Sequence, residues 1–154
     1  MPSMPRAQKG RSSVQYDVRL TDWRWEYGFS VGAPLGHGLP LEPYFDNREI
    51  ELFGAPIRPS GLKAEAAKIR LSFIVDLKEM IGRTPPPTIG ELYLRNGLLQ
   101  AYVFMPTDVL PSMLVMLTAD RFKRVSILAP KLHYRTSQIQ GFHFHRNIED
   151  AIVD

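Results

Sequence analysis

The chain has 154 residues, 19 Lys and Arg against 16 Asp and Glu, a pI near 9.3, 44% hydrophobic residues and no cysteine. That length buries a full core without staples, and the missing cysteines exclude a disulfide framework, thiolate zinc sites and cysteine nucleophiles. No run reaches the roughly 20 apolar residues of a membrane-spanning helix and the N-terminus lacks a signal-peptide core, so the expected setting is cytoplasmic, with no membrane partner.

The excess charge is local. Arg6, Lys9 and Arg11 stand in the first thirteen residues with no acid, leaving sixteen side chains of each sign in the remainder. Residues 1–13 therefore read as a flexible basic tail and 14–154 as a single β-rich domain. A nucleic-acid-binding domain usually has a basic face of its own, so nucleic acid is not the expected partner.

Val14, Tyr16, Val18 and Leu20 alternate with polar residues and predict a half-buried strand. The next apolar set, Trp23, Trp25, Tyr27, Phe29 and Val31, falls on odd positions. That phase shift at Thr21-Asp22 requires a tight turn, a bulge or a change of sheet. The aromatic ladder reads as core, with a stacking platform as its functional alternative. Gly32 to Pro43 is a shaped loop carrying His37. Arg48 to Phe53 reads as a short strand closed by Gly54 and Pro56. Between Leu62 and Met80 both periods fit, but the alternation of Ile69, Leu71, Phe73, Val75 and Leu77 favours a strand. Thr84 to Thr88 is a stiff connector.

Asn96-Gly97, centred between two apolar runs, predicts a hairpin pairing Arg95 with Leu98, Leu94 with Leu99 and Leu92 with Ala101. Pro106 to Ala119 predicts the one internal helix, about 108–119. Asp108 is its expected N-cap, and Leu110, Met113, Leu114 and Leu117 share one face. Val109, Val115 and Met116 lie off that face, so the helix is apolar nearly all round and needs cover on most sides. A strand from Phe122 to Ala129 follows, then a hairpin pairing Lys131–Thr136 with Ile139–His145 around Ser137-Gln138, and a last turn capped by Asn147. Asp120, Arg121, Lys123 and Arg124 form a charged knot that suits a helix C-terminus. About eight short strands with one helix make the chain mainly β, an antiparallel β-sandwich or open barrel.

One constellation carries chemistry. His143 and His145 project to the same face of a strand, and Glu149 follows four residues later. Two imidazoles and a carboxylate suit a divalent transition metal. This H-x-H-x3-E spacing resembles the first metal-binding motif of the cupins, a β-barrel family that binds such ions. The likeness stops at these residues: Ser137 stands where the motif has a glycine, and a second motif is lacking. No family activity is carried over. His133 is a third imidazole that a three-residue loop would set opposite His143, whereas a two-residue turn sets it opposite Phe142. The opposing assignment puts Phe142 and Phe144 in the core and both histidines in solvent. No nucleophile elbow, phosphate loop or dinucleotide fingerprint is present.

These residues predict a small interaction or structural module, with no catalytic residue and no cofactor, that contacts itself or a protein partner around Val115 and Met116. The alternative is a metal-binding β-barrel protein or enzyme using His143, His145 and Glu149.

Overall fold

The computed structural model of the chain describes residues 13–31, 44–75, 77 and 88–146. The strands are β1 (Ser13–Val31), β2 (Tyr44–Arg58), β3 (Ala66–Ile74), β4 (Gly90–Arg95), β5 (Leu98–Pro106), β6 (Arg124–Pro130), β7 (Thr136–Ile139) and β8 (Gly141–His145). A 3₁₀ turn (Thr107–Val109) leads into helix α1 (Leu110–Thr118). All eight strands form one mixed sheet in the order β7-β4-β5-β3-β2-β1-β6-β8, curled into a half-barrel.

Among the described residues the chain is mainly β, with α1 the one helix seen whole, as its periodicity predicts, but the sheet is not purely antiparallel. β4 skips one strand position and β5 folds back into the gap, so β5 lies parallel to β3, with Ile69 opposite Ala101 and Leu71 opposite Val103. The β4–β5 hairpin has the predicted register, from Arg95↔Leu98 through Leu94↔Leu99 to Leu92↔Ala101. Asn96 and Gly97 take φ of 51° and 77°, the left-handed pair that a two-residue turn demands.

β1 and β2 form a hairpin far longer than the usual five or six residues per strand. The phase shift is a bulge: the register slips between Leu20 and Asp22, so Thr21 is the extra residue. Before it, Tyr16 and Val18 face the core; after it, Trp23 lies opposite Leu52 and Trp25 opposite Ile50 on that same face. β2 does not end at Gly54. It runs on through Pro56, which sits opposite Val18 beside a second slip. Gly54 is required there, because a Cβ would lie 2.1 Å from the Arg19 carbonyl oxygen.

The core fills the concave side with Tyr16, Ile50, Leu52, Ile69, Leu71, Leu92, Leu99, Val103, Val125, Ile127 and Ile139, all nearly shut off from water. Tyr16 keeps its hydroxyl partnered, accepting from the Leu132 N–H at 3.3 Å. Burial pushes its phenol above the ordinary value of 10, against the smaller opposing pull of that hydrogen bond.

Helix α1 covers this side with Leu110, Met113 and Leu117. The expectation of cover on most sides fails, since Val115 is 66% exposed and Met116 half-buried. The residue expected as N-cap, Asp108, lies inside the 3₁₀ turn. Val109 caps the α-helix without a side-chain bond, and Pro111 follows in its first turn.

Three further expectations are corrected. The ladder is not core along its length: Trp25, Tyr27 and Phe29 are 37%, 53% and 61% exposed. β3 pairs with β2 only to Glu49, so the outer hairpin runs past the sheet that would cover it. Lys131–Thr136 and Ile139–His145 do not pair around Ser137-Gln138: those two residues lie inside β7, which pairs with β4, and β8 pairs with β6. The tight turn lies earlier, at a His133↔Thr136 bridge. Finally, Arg124 leaves the charged knot, where Lys123 pairs with Asp120, and is buried on β6. Ser13, expected in the tail, opens β1; residues 1–12, the His37 loop, the Thr84–Pro87 part of the stiff connector and the turn capped by Asn147 lie outside the described residues.

Candidate functional site

On β8 side chains alternate. Phe142 and Phe144 pack against the core, while His143 and His145 take the convex face with ring centroids 6.4 Å apart. Glu149 lies outside the described residues. Register sets Ser126 opposite His143 and Ile127 opposite Phe142, so His133 is not part of this group. It sits in the β6–β7 turn, exchanging backbone bonds with Thr136.

β8 instead joins a polar network that spacing does not reveal. Asp17 on β1 faces Ser126 on β6, and both are buried together with Arg124. Ser126 Oγ lies 2.5 Å from Asp17 Oδ1, 2.9 Å from His145 Nε2 and 3.1 Å from Arg124 Nη1. Gln15 Nε2 donates to both Asp17 oxygens, at 2.9 and 3.1 Å, and Arg58 Nε lies 3.9 Å away. Proton counting fixes the roles. Asp17 only accepts, so the single Ser126 proton goes to it at the shortest contact. Ser126 Oγ then accepts from Arg124 and from an Nε2–H of His145.

Serine, histidine and aspartate are all present here, but in the wrong order for nucleophilic catalysis. An activated serine gives its proton to an imidazole that a carboxylate orients. Here serine stands between the other two, with its proton committed to the carboxylate and its residue 3% exposed. The arrangement ties β1, β6 and β8 together.

Farther along β1 and on the adjacent β2, on the same convex face, Glu26, Glu49 and Glu51 each bring an oxygen to within 4.8 Å of the others, the one such group among the described residues. Cations already surround it: Arg24 Nη2 lies 2.6 Å, Arg70 Nη2 3.2 Å and Lys68 Nζ 3.8 Å from Glu51. Burial pushes the Glu51 carboxyl up, but these three cations together pull it further down, and the net result lies below the ordinary 4.5. A metal ion entering here would meet three positive charges, so the group is an ion-pair cluster.

The aromatic ladder starts beside the helix. Trp23 shares a shallow hollow of about 260 Å³ with Leu117, Thr118 and Phe122. Trp25 and Tyr27 then stack with centroids 6.3 Å apart and planes 22° apart. Opposite Tyr27 stands Arg48, held at 2.7 Å by Asp46. No helix among the described residues is long and apolar enough to cross a bilayer. Comparison with protein-family models, curated proteins and solved structures finds no match for this chain.

The network and the Glu51 cluster escape sequence reading because Asp17, Ser126 and Glu51 sit at strand positions that alternate as solvent-facing. Nothing local marks them as buried. The one usable signal is the density of opposite charge at those positions, with Arg24, Glu26, Glu49, Glu51, Lys68 and Arg70 all on outward phases.

Proposed function

We propose that the protein is a small interaction module with no catalytic site of its own, and that its partner is a second copy of the chain. The observation that carries this reading is the apolar surface left in water: Val115 on α1, and Trp25, Tyr27 and Phe29 on the ladder that begins beside that helix. Aromatic anchors on a neutral face are what protein contacts use most. The Arg48–Asp46 pair cancels charge beside Tyr27, so the face has no sign of its own to demand an opposite one. Such a face is self-complementary about a two-fold axis. Met116, half-buried next to Val115, is an adaptable rim.

Light scattering on a concentration series tests it. The wild type is expected to dimerise, and Tyr27→Ser and Val115→Ser to weaken the dimer without lowering the melting temperature. A monomer at every concentration, unchanged by either substitution, overturns it.

A second reading places a divalent transition metal on His143, His145 and Glu149. The shared face of the two imidazoles favours it. Stoichiometric zinc, iron, manganese or nickel in untagged protein by plasma mass spectrometry, lost in His143→Ala, supports it; metal-free protein rules it out.

A further inference from the structure

Among the described residues, the convex face holds a cleft of ligand size. Outward positions of β4 and β5 set Tyr93, Arg95, Gln100 and Tyr102 side by side, with Tyr93 opposite Gln100. The β6–β7 turn stands over them as a wall and contributes Tyr134 and Arg135. The enclosed volume is about 520 Å³, within the range of small-molecule sites.

This turn is the unusual part. It is a two-residue turn inside the His133↔Thr136 bridge, and both central residues take positive φ, 50° at Tyr134 and 65° at Arg135. The β4–β5 turn meets the same demand with Asn-Gly. Here two large side chains occupy a backbone region they rarely adopt. The rest of the structure holds them there: the Arg135 carbonyl accepts from the Leu94 N–H at 2.9 Å, and the His133 ring meets Tyr134 at 4.1 Å. Tyr134 gains no burial in exchange, being 87% exposed. Strain kept without a packing reward is a mark of sites where the side chains do something else.

The chemistry converges on one ligand class. Tyr93 and Tyr134 offer ring surface, while Tyr102 meets Tyr93 edge to face at 6.1 Å and carries the Arg70 guanidinium 5.3 Å from its ring centre. Arg95 and Arg135 form no ion pair among the described residues. Glu91, the acid on the outward phase of β4, is engaged by the Tyr93 hydroxyl. Two uncommitted guanidiniums bind a phosphate in forked fashion, tyrosine faces stack a planar ring, and the Gln100 amide pairs with a base edge. We propose that this cleft binds a nucleotide, its base against the exposed rings of Tyr93 and Tyr134 and its phosphate on Arg95 and Arg135. The source is a free mononucleotide or one unit of a single strand, and the site is independent of the dimer face proposed above.

The test is a ¹H–¹⁵N titration of the full chain with adenosine 5′-monophosphate, adenosine and inorganic phosphate, alongside anisotropy of a labelled single-stranded adenylate oligomer. Expected are shifts confined to the amides of residues 93–102 and 133–136, with the monophosphate binding at least about tenfold tighter than adenosine or phosphate. Arg95→Gln with Arg135→Gln should abolish the shifts at unchanged melting temperature. Tyr134→Gly separates binding from folding: it relieves the left-handed strain, so it should melt higher yet bind more weakly. Oligomer binding that exceeds the monophosphate and needs both arginines assigns the source to a strand; equal or weaker binding assigns it to the free nucleotide. Absence of shifts with every probe, or shifts that map elsewhere, overturns the site.

Discussion

Arg124 Nη1 lies 3.2 Å from Asp17 Oδ1, and both side chains are sealed from water on the convex side of the β1–β6 pair. Each lowers the cost of burying the other, since an unpaired charge in that setting is far costlier than the pair. Arg124→Met should therefore cost about 3–5 kcal/mol by taking the nearest cation from the buried carboxylate. Asp17→Leu combined with Arg124→Met should recover most of that loss. Urea melts of the single and double variants measure it; additive losses would refute the coupling.

The β4–β5 turn gives a purely conformational test. A Cβ on Gly97 meets nothing within 4 Å, so Gly97→Val suffers only from its φ of 77°. The expected loss is about 1–3 kcal/mol, which lowers the thermal midpoint by several degrees. An unchanged midpoint would contradict the turn.

Gly90 poses the opposite problem. A Cβ there would lie 1.8 Å from the Tyr102 carbonyl oxygen, inside the strand pair itself. Gly90→Ala must push β4 away from β5, and β7 depends on β4 in turn. It should destabilise more than Gly97→Val despite adding only a methyl group. A smaller loss than Gly97→Val in the same melts would disprove this close approach.

Acid should act through Glu51. Its carboxyl titrates below the ordinary 4.5 in the folded chain, because Arg24, Lys68 and Arg70 together outweigh its burial. A depressed folded value means the stabilisation is fully present above 4.5 and is lost as pH falls through the folded value. Glu51→Gln lacks that term and leaves three cations facing one another. It should be the less stable form at neutral pH, with the gap to wild type narrowing as pH drops below 4.5. A gap constant with pH would exclude Glu51 as the source.

What was legible in the sequence was local. Asn96-Gly97 specifies its own turn, and alternation from Ile69 specifies a strand, though one that ends at Ile74 rather than reaching Val75 and Leu77, the latter helical. Alternation from Trp23 to Phe29 names an apolar face but cannot say whether anything lies over it. In the fold β3 stops short, and the outer rings meet water. The partners of residues 136–145 were illegible for the same reason, since β4 and β6 are chosen by the curl of the whole sheet. The cleft was hidden more deeply: Tyr93, Tyr102 and Tyr134 come from three elements, and Arg95 and Arg135 vanish in a charge balance that sums to zero over the domain.

β7 and β8 run on from one another through Gln140, whose N–H bonds to the Leu128 carbonyl at 2.7 Å. One extended segment thus fastens first to β4 and then to β6, like a clasp drawn across the gap between the two ends of the sheet. Lifting it bares two edges at once, and both edges read the same short stretch of chain. Closure of the half-barrel thus rests on one segment that holds both edges, so its two halves loosen together or not at all.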